Sequence, residues 1–322
     1  LKNVVKQAPI KQAKGLTMDN FSHDGFVTTG KRPLAQDSFC MNLYQKAKKL
    51  GLWNPVEIDF SVDKQSWQSW NEEERDIILG QTSVFQAGEE SVTLDLLPLI
   101  MTIAREGRLE EELYLTSFLF EEGKHTEFFS IWLREVAESD GSGLDVYHTP
   151  SYKKIFYDEL PKALWALNSD QSPKAQLNAA LTYNMVVEGV LAETGYYTFY
   201  EAASASTSFK MPGLLYGIKK IQQDESRHIA YGLFLISRLL SEHPDLWGFL
   251  EKRMAELLTL AMAFVNERIN YHLEKYGSLA FGIKEEDILS FALGQYQKRM
   301  SRLEKARHQS IEDLEFLALG SA

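Results

Sequence analysis

Acids interrupt the buried faces of four long helical segments in this chain. The second segment reads Leu115, Phe118, Leu119, Glu122, His125, Phe129, Trp132, Leu133 and Val136. That is i, i+3, i+4, i+7 spacing, the stripe a helix turns inward. Glu122 and His125 sit inside the stripe and, three residues apart, stand one turn apart on one side. The fourth segment repeats the device in Ile218, Ile221, Glu225, His228, Ile229, Gly232, Leu235 and Ile236. The first (Phe85, Glu89, Val92, Leu96, Ile100) and the third (Leu177, Leu181, Met185, Glu188, Leu191, Gly195, Phe199) each carry one inward carboxylate. The order along the chain is Glu, Glu-x-x-His, Glu, Glu-x-x-His. A single Glu-x-x-His is weak evidence, because most helical examples face water. Placement in all four stripes is much harder to obtain by accident.

Four ionised glutamates in one core would cost several kcal/mol each even after relaxation. They must protonate or find cations. Two divalent cations supply +4 against −4. One Glu from each of two helices with Glu-x-x-His from each of the other two is the donor arrangement of two-metal carboxylate bundles. Four carboxylates with two imidazoles form a hard, oxygen-rich set that favours iron or manganese over zinc or copper. The competing reading is a group of core polar residues that satisfy one another.

The remaining sequence fits a helical bundle. Nine Pro and 20 Gly in 322 residues are thin punctuation, which argues for long helices. The spacing predicts the four long helices over Glu72 to about Arg105, with Pro98 as a kink or early stop, Leu109 to Glu138, about Ser172 to Ala203, and Met211 to about Ser241. Shorter helices are expected over Asp37 to Lys49, Tyr152 to Leu167, Pro244 to Tyr276 and Glu285 to Arg302, with a loop from Trp53 to Asp63. No period-two run suggests a strand, so the class is all-α, in one domain over 22–302. A flexible lead-in is expected over 1–21 and a tail over 303–322. The net charge of −11 argues against nucleic acid as the main partner. No run of 18 apolar residues calls for a transmembrane helix, and no signal-peptide core is seen. With one cysteine, Cys40, read as a packed small hydrophobe, a cytoplasmic location is expected. His23, His148, His243, His272 and His308 lack stripe placement and are read as surface or loop residues.

The chain resembles the ligand-binding oxidases related to the ribonucleotide reductase small subunit, within the ferritin-like superfamily, over about residues 22–300. The residues that carry the likeness are His23-Asp24-Gly25-Phe26, Trp53-Asn54-Pro55 with Ile58-Asp59-Phe60, Ala87-Gly88-Glu89-Glu90 with Val92-Thr93, and Glu122-Gly123-Lys124-His125. They continue through Tyr183-Asn184, Val187-Glu188-Gly189, Gly195-Tyr196-Tyr197 and Asp224-Glu225 with Arg227-His228. The resemblance implies a ferritin-like four-helix core with additional helices and a manganese–iron or di-iron centre that activates dioxygen. It implies Glu89, Glu122 and His125 around one metal and Glu188, Glu225 and His228 around the other, with carboxylates bridging. It further implies a two-electron oxidation that joins Val92 and Tyr183 in an ether cross-link, a long-chain fatty acid whose carboxylate reaches the metals, and a homodimer. Asp224 resembles the carboxylate that orients a metal-bound histidine in this superfamily.

Spacing supports part of this. Val92, three after Glu89, faces the same way. Tyr183 precedes Glu188 by five residues, about 140° around an ideal α-helix, so the helix is distorted there or the side chain reaches around. Ala192 and Gly195 share the face of Glu188; their small size leaves room for an acyl chain or serves close helix packing. Two alternatives stand beside the oxidase. A reductase subunit usually has a radical tyrosine one turn past the first metal histidine, where this chain has Phe129, and a redox tyrosine in its tail, whereas none follows Tyr296. A metal-containing lipid-binding protein without turnover is the other.

Overall fold

The computed structural model describes His23 and residues 25–307. These fall in two units, one up to Gln36 and one from Asp37 onward. In the first, Val27–Lys31 form a π-helical turn, and the His23 and Phe26 rings lie 5.1 Å apart. The expected lead-in over 1–21 lies outside the described residues, as do Asp24, His308 and the expected tail beyond Arg307. Residues 303–307 belong to the last helix rather than to the tail.

The second unit is all-α, with no strand among the described residues. Helix α1 (Phe39–Leu50) begins at Ser38, whose hydroxyl accepts from the Met41 amide, and stops at Gly51. The expected loop that follows contains a 3₁₀ turn at Pro55–Glu57 and then an unexpected helix, α2 (Ser61–Ser69). Two of its three buried residues, Asp63 and Ser66, are polar, so hydropathy gives no helical stripe there. Asp63 is buried for a reason. Its carboxylate accepts from the Gly213 and Leu214 amides at 2.9 and 2.7 Å, capping another helix from outside.

The first long segment divides into α3 (Glu72–Asp95), opened by a reciprocal Asn71–Glu74 capping box, and α4 (Leu97–Arg105). The break at Leu96 lies two residues ahead of Pro98, whose ring cannot continue an α-helix without losing a bond. Helix α5 (Leu109–Glu135) is the second long segment. Residues 150–165 form α6 (Pro150–Lys153), a π-helical stretch (Lys154–Glu159) and α7 (Leu160–Trp165). The third long segment is compound: α8 (Pro173–Ala180), a π-helix (Leu181–Ala192) and α9 (Glu193–Ala205). Helix α10 (Pro212–Glu242) is the fourth. Helices α11 (Trp247–Tyr276), ended by Gly277 at φ 78°, and α12 (Glu285–Arg307) complete the unit.

Helix α3 packs on α5, α5 on α10, and α10 on the π-helix. Phe85 of α3 stacks on Tyr196 of α9 at 5.1 Å and closes the ring of four. Helix α1 covers α5 and α10, while α11 and α12 cover the π-helix, so the interior is sealed by additional helices. Phe118, Phe128, Phe129 and Trp132 of α5 are completely buried at its centre. No helix among the described residues is long and apolar enough to cross a membrane. Cys40 is buried, as a small hydrophobe would be. His148 lies in a loop, as expected, but is buried there, with Nδ1 2.8 Å from the Tyr157 hydroxyl; His272 differs from expectation, being buried on α11.

Candidate metal centre

Glu89 of α3, Glu122 and His125 of α5, Glu188 of the π-helix, and Glu225 and His228 of α10 meet inside the four-helix core, all buried. They form two groups in which ligand-type atoms lie within 4.8 Å of one another. One is Glu89, Glu122, His125 and Glu225; the other is Glu122, Glu188, Glu225 and His228. Glu122 and Glu225 are common to both groups. Each imidazole turns Nδ1 inward. His125 Nδ1 lies 3.5 Å from Glu89, 3.6 Å from Glu122 and 3.4 Å from Glu225. His228 Nδ1 lies 3.0 Å from Glu122, 3.6 Å from Glu188 and 3.4 Å from Glu225.

The donor atoms fit a pair of cations. Glu122 Oε2, His125 Nδ1, Glu188 Oε1, Glu225 Oε2 and His228 Nδ1 are buried and have no hydrogen-bond partner. Buried polar atoms are nearly always paired, so five orphans converging on one space need a ligand in common. Protonation tells the same story. Burial pushes Glu89 and Glu188 up to about 8, and the neighbouring carboxylates add to the rise. Burial opposes charge on both histidines, but the carboxylates around them outweigh it and hold each well above 6.5. Burial also works against the charge on Glu122, yet His125 and His228 hold it below the usual carboxylate range.

Metal binding must displace these protons. Loading two divalent cations near pH 7 is expected to release between about three and four protons per chain, from Glu89, Glu188, His125 and His228. An indicator dye in weak buffer measures this, and a release below about one proton would contradict the arrangement. Stability follows the same sign. The folded values of Glu89 and Glu188 lie above the unfolded 4.5, so their contribution in metal-free protein is fully present below about pH 4.5 and is lost as pH rises through about 8. Metal-loaded protein should not show that loss.

A second layer of charge crosses between α5 and α10. Asp224 of α10 faces His125 Nε2 of α5 at 3.3 Å, and Glu121 of α5 faces His228 Nε2 of α10 at 3.0 Å. Each histidine is thus oriented from the opposite helix. Arg227 Nη2 donates to both carboxylates, 2.5 Å to each. Lys124 Nζ donates to Asp224 at 2.9 Å and to the Gly51 carbonyl at 2.6 Å, and Trp53 Nε1 donates to Asp224 at 2.8 Å. Two acids and two bases leave this layer neutral, so the inner charge balance is undisturbed. Replacing Arg227 by Met strands two buried carboxylates and is expected to lower the stability of metal-loaded protein by about 3–5 kcal/mol in urea unfolding. A loss below about 1 kcal/mol would mean that water replaces the guanidinium. Glu121 was not singled out by sequence reasoning. Its signal was present: an acid precedes the glutamate of both motifs (Glu121-Glu122, Asp224-Glu225), and a base precedes both histidines.

Val92 and Tyr183 line one cavity together with Glu89, Glu122, Glu188 and Glu225. The Tyr183 hydroxyl donates to Glu122 Oε1 at 2.8 Å. The π-helix accounts for the awkward spacing of this tyrosine. Bonds from i to i+5 widen the turn and bring residues five apart, such as Tyr183 and Glu188, closer to one face. Asn184 Nδ2 donates to Glu188 Oε2 at 2.9 Å within the same wide turn. Ala192 lines this cavity, whereas Gly195 borders a second one. A Cβ on Gly195 would come within 2.5 Å of the Phe85 ring, so the bare Cα lets α3 and α9 pack closely at the edge of that second cavity.

Comparison with known proteins agrees with this geometry. Residues 35–308 match the family model of the ribonucleotide reductase small chain. Among solved structures, an R2-like ligand-binding oxidase with aerobically reconstituted Mn/Fe cofactor is 38% identical, with a TM-score of 0.82 over 88% of this chain and 98% of that one. A valine-to-isoleucine variant of such an oxidase, also with a Mn/Fe cofactor, is 38% identical with a TM-score of 0.83, over 87% and 99% of the two chains. The all-α architecture is thus the ferritin-like one, and its buried carboxylate–histidine cluster suits a dinuclear metal cofactor of the kind those structures carry. The chain belongs to the ribonucleotide reductase small chain family, in its R2-like ligand-binding oxidase group.

Proposed function

We propose that this chain is a dioxygen-activating oxidoreductase with a manganese–iron or di-iron pair held by Glu89, Glu122, His125, Glu188, Glu225 and His228. In this reading it joins Val92 to Tyr183 and binds a long-chain fatty acid beside the metals. The observation that carries the reading is the shared cavity, where an oxidisable C–H and a phenol border the carboxylate cluster.

When bound, a reduced metal pair would supply two of the four electrons that take one O2 to two waters; the side chains supply two electrons and two protons, and solvent the other two protons. The side chains do the rest. The Val92 C–H and Tyr183 O–H bonds break and one C–O bond forms. Tyr183 is kept protonated beforehand, because burial and the Glu122 and Glu188 charges hold its hydroxyl well above 10. Its hydrogen bond gives the phenolic proton a destination at Glu122 Oε1. Phe85, Phe156 and Phe264 wall the cavity and exclude water that would intercept the oxidant. The same apolar wall suits an acyl chain, with Ala192 leaving it room and the acid's carboxylate toward the metals. A homodimer comes with this reading from the family resemblance.

Anaerobic loading with Mn(II) and Fe(II), then air, tests it. Metal analysis should give two ions per chain. Intact mass should fall by two hydrogens, and digestion should leave the Val92 and Tyr183 peptides joined. Solvent extraction followed by mass spectrometry should yield a fatty acid. Full metal loading with no mass change would favour a lipid-binding protein without turnover.

A further inference from the structure

A second cavity continues the first, sharing Gln81, Leu191 and Phe264 with it. Ile77, Val265, Ile269 and Ile288 line it, and so do two polar groups of α11, Arg268 and His272. Arg268 is only 9% exposed. Its Nε lacks a partner, and no hydrogen bond or ion pair joins its guanidinium to another described residue. The guanidinium lies against Gly80 of α3, where a Cβ would come within 2.5 Å of Nη2, and over the Tyr147 ring at 5.7 Å. Asp76 is the nearby carboxylate, but its contacts go elsewhere: the Tyr147 hydroxyl at 2.7 Å, Lys275 at 3.4 Å and His272 Nδ1 at 3.7 Å. Neither ring nitrogen of His272 has a hydrogen-bond partner. Burial pulls Arg268 down only to about 10, so it is charged at neutral pH.

A buried charge without a partner costs several kcal/mol. A ligand that brings the counter-charge removes this cost. A simple fatty acid with its carboxylate at the metals would do the opposite and set its methyl end toward a bare guanidinium. We propose that Arg268, with His272 beside it, holds a second carboxylate, and that this cavity takes a medium-length α,ω-dicarboxylic acid. The length follows from α3. Gly80, under the guanidinium, and Glu89, in the metal cluster, lie nine residues apart on one uninterrupted helix, about 13 Å along its axis. The proposal rests on the acyl-ligand reading above, and its test separates the two.

Dodecanedioic acid, its monomethyl ester and dodecanoic acid are titrated into metal-loaded protein by calorimetry. A charged hydrogen bond is worth about tenfold or more in affinity, so the diacid should bind about tenfold tighter than either single acid. Arg268→Met should remove that advantage while changing dodecanoic acid by less than about threefold, and Arg268→Lys should restore part of it. Equal weakening of diacid and monoacid in Arg268→Met would overturn the two-ended ligand. An unchanged diacid affinity, or equal binding of the three ligands by the parent protein, would overturn the role of Arg268. Binding of none of them by the parent protein would overturn the acyl reading itself. The parent comparison needs no variant and stands even if Arg268→Met fails to fold.

Discussion

Glu225→Ala is expected to empty both metal positions. Glu225 is one of two carboxylates common to both donor groups, so its loss takes an oxygen donor from each cation at once. The charge balance also fails, with three glutamates left against +4. Metal analysis after anaerobic loading should fall from two ions per chain to well under one, and the mass should stay unchanged after air exposure. Glu89→Ala and His228→Ala each remove a donor from one group only. These two should lower metal content less evenly, but they too should abolish the cross-link, since an intact pair must supply two of the four electrons that reduce dioxygen. Full cross-linking in Glu89→Ala would overturn the ligand assignment. Folding offers an internal control. Metal-free Glu225→Ala should keep the parent's helical circular-dichroism signal, so that the metal loss is read on folded protein.

How much of this could be read beforehand depended on whether a local pattern had something to contrast with. The ligand positions were legible because acids stood out against apolar stripes on α5 and α10, whose opposite faces are polar. The π-helix showed only indirectly, through the awkward Tyr183–Glu188 spacing, for the converse reason. Every residue from Leu181 to Leu191 is buried, so there is no polar face to set the phase, and a wide turn looks like a tight one. Helix α2 was missed because its inward face is Asp63, Ser66 and Trp67, and Asp63 earns its burial only through amides 150 residues away in sequence. Arg268 and His272 stayed hidden because α11 carries many charges, and only the packed structure shows both side chains buried, Arg268 against Gly80. Glu121 is a different case. Its pairing with His228 mirrors that of Asp224 with His125, a symmetry present in the motif pair but unread.

Replacing Val92 or Tyr183 should separate metal binding from oxidation. Tyr183→Phe keeps the aromatic ring and removes only the oxygen that would be joined. Loaded protein should hold both ions, because Glu122, which accepts from the Tyr183 hydroxyl, keeps its carboxylate and its 3.0 Å contact with His228. Air should then cause no loss of two hydrogens and leave no joined peptides, a fall in cross-link yield from near complete to none. Val92→Ala tests the other partner. The tertiary Cβ–H of valine becomes a primary C–H, whose homolysis is harder, so the linkage should weaken or shift to another side chain while metal content holds. The two results are informative together. Loss of metal in Tyr183→Phe would mean that the hydroxyl supports Glu122 structurally rather than giving up its hydrogen. Undiminished linkage in Val92→Ala would mean that the attacked carbon lies elsewhere on the cavity wall, with Val84, Val187 and Leu191 the aliphatic side chains lining the same space.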